Sequence, residues 1–366
     1  MKQTYAFDGS IIAKKPLAVS RPHDNFSGGG HSKTLQRLPR AGAKQQDTPV
    51  FFPASSLRGC LRRAAVAVIQ RAVVNATGEE TPFSMDQFYM VNQGVDTANI
   101  TEVKKDAPIV IEKEAQLRAS NPFISLFGRW QFAGHLGVSD AFPNDASETV
   151  MYVTGNGARV NEWTRSPEAI NLIHPEDRAR VKKVLVDDAL AQKDVAVLKK
   201  QQKEHAKARR GADSETRADI NQTIEDLENQ MKKIKKSKAG AKESIQMPLP
   251  GYECIAPGVE MSQKMMLTNG TELELGLLLH SLVEFSRDPR LGGHSGQGAG
   301  EVEAAWDVKV RPVGSWKAVS VGRIALSSDS FDLEDHTDDK VLTRAADAFE
   351  QAANDMARYG IDFLRF

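Results

Sequence analysis

The chain has 366 residues, 40% apolar and 26% charged, with 48 Lys+Arg balanced by 48 Asp+Glu; at roughly 150 residues per domain this allows two to three domains, or one domain with a large insertion. No run of about 18 apolar residues occurs, which excludes a transmembrane helix, and Cys60 and Cys254 alone exclude a disulfide framework or a thiolate metal cluster. The opening Met1-Lys2-Gln3-Thr4-Tyr5 lacks the apolar core of a signal peptide, so a reducing cytoplasm is expected.

Charge is uneven along the chain. Residues 1–75 carry 12 Lys/Arg against 3 Asp/Glu, and residues 324–366 carry 4 against 10. The front suits a phosphate backbone and the tail does not. Accidental clustering on a solvated surface is the other reading.

Residues 5–12 read as a strand, followed by extended chain at 17–20. Residues 21–48 have no apolar period and carry Arg21, Lys33, Arg37, Arg40 and Lys44 around Ser27-Gly28-Gly29-Gly30. A loop of this length inside a domain is usually functional or disordered. A helix then starts after Pro53, with a serine as its expected N-cap. Leu57, Leu61, Ala65 and Val68 form its buried stripe, Arg58 and Arg62 share another face, and Gly59 suggests close approach of another backbone. Pro108-Ile109-Val110-Ile111 reads as a short strand. Residues 121–128 read as a turn into a short helix, and 137–142 as a buried strand.

Residues 166–245 read as an inserted antiparallel helical hairpin. Val181, Val184, Leu185, Val195 and Leu198 mark its first helix. Ile220, Ile224, Leu227, Met231 and Ile234 mark the second. Its basic end, residues 232–238, suits either nucleic acid or water. The alternating pattern resumes at 259–267, and Leu275, Leu278, Leu279, Leu282 and Phe285 predict a helix. Residues 302–310 and 316–326 read as strands, and 341–363 as a terminal helix. Strands and helices do not alternate as βαβ units, so an α+β plan of antiparallel sheet with helices on one side is expected.

Two stretches offer anion-binding chemistry. The start of the helix at Ser55-Ser56-Leu57-Arg58 presents amides, hydroxyls and guanidinium groups, with Arg62 and Arg63 adding charge; the alternative is a solvated basic face. Residues 292–300 hold five glycines with Arg287, Arg290 and His294 beside them. They match neither a P-loop nor a dinucleotide fingerprint. They read either as a backbone cradle for phosphate or as a tight corner loop. No Gly-x-Ser-x-Gly elbow occurs, and the eight histidines show no metal-ligand spacing, so neither a metal nor another cofactor is expected. His23-Asp24 is the one acid/base pair. It reads either as support for cleavage of an RNA strand or as a turn in which Asp24 bonds its own backbone.

The segment Phe52-Pro53-Ala54-Ser55-Ser56-Leu57-Arg58-Gly59-Cys60-Leu61-Arg62 resembles the Pro-small-Ser-Ser-Leu-basic-Gly-x-x-Arg helix start of the RAMP superfamily of CRISPR–Cas proteins. In the same order, residues 123–128 with Leu136-Gly137-Val138-Ser139-Asp140-Ala141 resemble its Phe-Gly … Leu-x-Val-x-Asp-Ala segment. Ala256-Pro257-Gly258-Val259-Glu260 resembles the strand entry after its thumb, and residues 291–300 its late Gly-rich loop. Within the superfamily the chain is most similar to the type IV backbone subunit that polymerises along guide RNA, with the type III subunit as the alternative.

That resemblance implies a ferredoxin-like, RRM-type antiparallel core with a thumb hairpin. Residues 1–150 would form the first part of the palm, 151–258 the thumb carrying the helical insertion, and 259–366 the rest of the palm. It implies guide-RNA contacts from Arg21, His23, Lys33, Arg37, Ser55, Ser56, Arg58, Arg62, Arg63 and Arg129. Further contacts would come from Asn156, Arg159, Asn161, Trp163 and Arg165 on the thumb, which would displace guide bases. Arg287, Arg290, Gly292, Gly293, His294, Ser295 and Gln297 complete the set. The implied partners are the guide RNA (crRNA), target DNA or RNA paired to it, head-to-tail copies of the chain and other effector subunits; an alternative reading makes residues 166–245 a coiled-coil adapter that recruits a helicase or other protein. No catalysis is implied for the type IV subunit; in the type III alternative Asp24, beside His23, would cleave target RNA.

Overall fold

The computed structural model describes residues 2–19, 34–38, 48–80, 82–95, 111–130, 132–145, 149–160, 171, 174–209, 214–236, 244–312 and 314–365. They fall into two units, Met1–Val153 with Gly251–Phe366, and Thr154–Pro250. No helix among them is long and apolar enough to cross a membrane.

The first unit is built on an antiparallel sheet. Its strands are β1 (Gln3–Ala13), β2 (Leu136–Val138), β3 (Phe142–Pro143), β6 (Glu260–Gly270), β7 (Val302–Val310), β8 (Val319–Leu326) and β9 (Phe331–Asp335). Helix α1 (Ala54–Thr77) links β1 to β2, and α7 (Glu272–Ser286) links β6 to β7. The spatial order is β2-β6-β1-β7-β8-β9, with β3 also on β6. Taking β1-α1-β2-β6-α7-β7 as the repeat, the four strands lie in the order fourth, first, third, second. That is a ferredoxin-like, α+β arrangement, extended by the β8–β9 meander.

Period-two alternation sets the two faces of this sheet. On β6, Met261, Gln263, Met265 and Leu267 are buried and their neighbours exposed. On β1, Phe7, Ile11 and Ala13 face the same core. Leu57, Leu61, Ala65 and Val68 of α1 are buried in it too, with Leu275, Leu278, Leu279 and Leu282 of α7. Each large apolar side chain buried this way contributes about 1.5–3 kcal/mol. The buried Gln263 is satisfied: it accepts a 2.7 Å hydrogen bond from Trp306 Nε1.

The opposite face bears directly on function. RRM-type sheets stack bases on aromatic side chains of their central strands. Here the open face of β1, β6 and β7 carries Ala6, Asp8 and Ser10, Ser262, Lys264 and Met266, and Ala305, Asp307 and Lys309. It holds no aromatic ring on these strands. The Asp8 carboxylate lies between Lys264 at 3.1 Å and Lys309 at 3.4 Å, and the Lys264 hydrogen bond holds its pKa below the usual carboxylate value. These three strands therefore offer no ring for RRM-style stacking; the nearest on this face is Phe142 of β3, paired with Ser262.

Helices α2 (Met85–Gln93), α3 (Ile111–Ser120) and α4 (Pro122–Phe127) follow α1. Ile111 therefore begins a helix rather than ending a strand, and 108–110 lie outside the described residues. At the C-terminus the expected single helix is two: α8 (Val341–Asn354) and α9 (Met356–Tyr359). The break is Asp355, at φ −136° and ψ 63°, whose carboxylate accepts from Arg358 N and starts the second helix.

The acidic tail is in part a capping device. Asp335, at the end of β9, accepts from the amides of Leu342 and Thr343 and from the Thr343 hydroxyl. It thereby satisfies orphan donors at the start of α8. Reversing its charge would disturb that helix as well as any contact between copies.

Strands β4 (Val150–Val160) and β5 (Ser244–Ile255) pair as a two-stranded ribbon. In the second unit, α5 (Pro175–Ala208) and α6 (Ser214–Lys236) form a helical hairpin. Gln202 on α5 donates to Glu228 on α6 at 2.9 Å, and Leu227 and Met231 are buried.

Candidate nucleic-acid interface

Arg58 and Arg62 lie one turn apart on α1, and the structure brings Arg129 to them. All three line an open cavity of about 520 Å³, with Gly94, Gly128, Trp130, Phe132 and Gly134 among its other walls. Among the described residues that line it there is no carboxylate. The tryptophan is 53% exposed.

The guanidinium groups are held differently. Arg62 donates to Val91 O at 2.5 Å, Met90 O at 2.8 Å and Gly128 O at 3.1 Å, with a longer bond to Phe127 O. These carbonyls mark the C-terminal ends of α2 and α4, the negative ends of the helix dipoles; Met90 O also accepts from Gly94 N. Burial, with the neighbouring Arg58 charge second, lowers its pKa to about 10. Arg58 donates to Phe127 O at 2.6 Å, its Nε is buried without a partner, and burial lowers its pKa. Arg129 Nε is likewise buried and unpartnered. Its Nη1 reaches only Trp130 O, at 3.5 Å, and its guanidinium lies 5.7 Å from the Phe132 ring centre. Arg118 covers that ring at 4.0 Å.

An anion entering this cavity would meet unneutralised positive charge. It would offset the repulsion between Arg58 and Arg62. The exposed Trp130 adds an aromatic surface of the kind on which bases stack. Trp130 and Arg118 were missed by the sequence reading. The basic-aromatic pair Arg129-Trp130 was the signal that marks this segment.

The other helix-start candidates are less available. Proline, not serine, occupies the N-cap of α1, and no side chain caps it locally. Asp140 instead accepts from Ala54 N at 2.7 Å, so a carboxylate already sits at this N-terminus. Ser55 is exposed and Ser56 half-buried. Arg63 points away, donating to Cys60 Sγ at 3.0 Å, while burial pushes the Cys60 thiol pKa up. Gly59 meets no other backbone: a Cβ there would find only the Arg63 guanidinium, at 3.8 Å.

The Gly-rich loop forms a second cluster at the foot of β5. Gly293 N donates to Ala18 O at 2.9 Å, and Leu17 pairs with Ile255. A Cβ at Gly292, whose φ is +77°, would collide with the Ala18 carbonyl, so this glycine serves close packing. His294 adopts φ +63° and stacks on Tyr252, ring centres 4.0 Å apart and 2° from parallel. Ser295 and Gln297 are exposed. Arg290 is tied to Asp288 at 2.7 Å and to Ser295 O at 2.9 Å, and Arg287 to Glu284 at 3.3 Å.

The basic loop starts and returns at this same foot. Leu35 N and Arg37 both bond the Glu253 carboxylate, two residues from the Leu17–Ile255 bridge. Arg37 is thus already paired. Arg21, His23, Asp24 and Lys33 lie outside the described residues, as do Asn161, Trp163 and Arg165. Asn156 and Arg159 fall on β4, where only the backbone is described.

No protein-family model matches the chain, and no curated protein matches it. Among solved structures it is similar to a chain described as "Type IV-B CRISPR Complex", with 15% sequence identity and a TM-score of 0.37 over 86% of this chain and 93% of that one.

Proposed function

We propose that this chain is a non-catalytic RNA-binding subunit that polymerises along the guide of a class 1 CRISPR–Cas effector complex, of the type IV kind. It holds the sugar-phosphate backbone and leaves the bases free to pair with target nucleic acid. The observation that carries the reading is the convergence of Arg58, Arg62 and Arg129 on one open cavity, with no carboxylate among the described residues that line it. The ordered RAMP-like motifs support it independently. Copies stacked head to tail would place the basic front of one near the acidic tail of the next, a heterologous contact that builds open filaments.

Backbone gripping by cations releases counterions. If about four phosphates of a single strand are neutralised, log K falls with log salt at a slope of about −3, a loss of roughly 50-fold between 50 and 200 mM. Fluorescence anisotropy with an unstructured guide-length RNA measures it. A flat salt dependence, or binding that tracks one base sequence, contradicts the proposal.

A further inference from the structure

Trp316 was expected to open a strand. The strand instead begins at Val319, and Trp316 stands at the tip of the β7–β8 hairpin with 92% of its surface exposed. A tryptophan joins a large apolar face to a polar N–H, which suits it to an interface.

The tip is ordered by its own hydrogen bonds. Ser315 N donates to Pro312 O at 2.9 Å, and Arg311 Nε to Ser315 O at 3.0 Å. The Ser315 hydroxyl donates to Lys317 O and accepts from Lys317 N. These bonds hold the described backbone on either side of the indole, which lowers the entropy lost when the ring is covered. The hairpin's own charges have one sign, while the acidic tail runs beside it: Glu334 pairs with Arg323 in register, and His336 bonds Ser320 at 2.9 Å. From 308 to 328 the chain carries Lys309, Arg311, Lys317 and Arg323 and no carboxylate. Lys309 is engaged by Asp8, whereas the Lys317 amine meets no partner among the described residues.

We infer that this hairpin tip is a second nucleic-acid contact, in which Trp316 stacks on an unpaired base while Arg311 and Lys317 hold the adjoining phosphates. An aromatic ring flanked by cations, with no shaped pocket around it, suits any base and so a single strand of any sequence. The inference rests on the nucleic-acid reading of the chain but uses none of the residues that carry it.

The test is anisotropy of oligouridine RNA and of oligothymidine DNA of equal length against the full chain, its Trp316→Ala variant and its Trp316→Phe variant. One stacked base is worth about 1–3 kcal/mol. Trp316→Ala therefore weakens binding about 5- to 150-fold, and Trp316→Phe restores most of it. Loss in the RNA arm assigns the contact to a guide-like strand, and loss in the DNA arm to a target strand; either supports the inference. Wild-type binding that Trp316→Ala leaves unchanged overturns it and spares the proposed function, including when the variant alters only self-association. Absence of wild-type binding overturns both.

Discussion

Arg62→Ala lowers folding stability by about 3–5 kcal/mol, the largest loss expected from a single cation in this chain. The oxygens of Val91 and Gly128 accept from Arg62 and have no other donor among the described residues. Leaving each buried and unsatisfied costs about 1–3 kcal/mol. The guanidinium also lies 5.2 Å from the Phe123 ring centre, worth about 0.5–1 kcal/mol more. Arg62→Lys recovers little, because one ammonium on a flexible stem cannot reproduce a planar fork aimed at two helix ends. Urea unfolding checks this: the midpoint falls while the slope is unchanged. A variant within about 1 kcal/mol of wild type would show that these helix ends find other donors. An RNA-binding defect in Arg62→Ala is therefore uninformative unless folding is measured beside it.

Arg129→Glu separates the two roles. Arg129 makes one long hydrogen bond, to its neighbour's carbonyl, so the fold loses little. The cavity, in contrast, loses one positive charge and gains a negative one. Guide affinity falls about tenfold or more at low salt, equally for different sequences, and the salt slope becomes shallower by about 1. Anisotropy titrations over a salt series, with circular dichroism to confirm folding, measure both. Affinity and slope matching wild type would remove Arg129 from the interface. Arg58 is intermediate: its bond to Phe127 O serves the fold, and its side chain also lines the cavity.

What the sequence made legible was local. The stripe from Leu57 to Val68 placed α1, and alternation placed β6, because helix and strand periods are written in neighbouring residues. The face shared by Arg58 and Arg62 was legible for the same reason. What that face does was not, since the carbonyls it meets come from residues 28 to 69 positions further along. The N-cap was misread because the capping group, Asp140, is 86 residues from Ala54. Close approach was assigned to Gly59, yet it occurs at Gly292, against Ala18. Glycine marks permission for contact, and only tertiary structure decides where contact happens. Trp316 was absorbed into a strand because apolar residues follow it. The exposure that makes it interesting has no local signature.

The most direct test of the central claim is the nucleic acid that accompanies the protein. Full-length chain, co-expressed with a guide transcript and its natural companion subunits, is purified, and the bound nucleic acid is extracted and sized on a denaturing gel. The account predicts RNA of one discrete length carried by several copies of the chain. A single copy free of RNA under those conditions would contradict it.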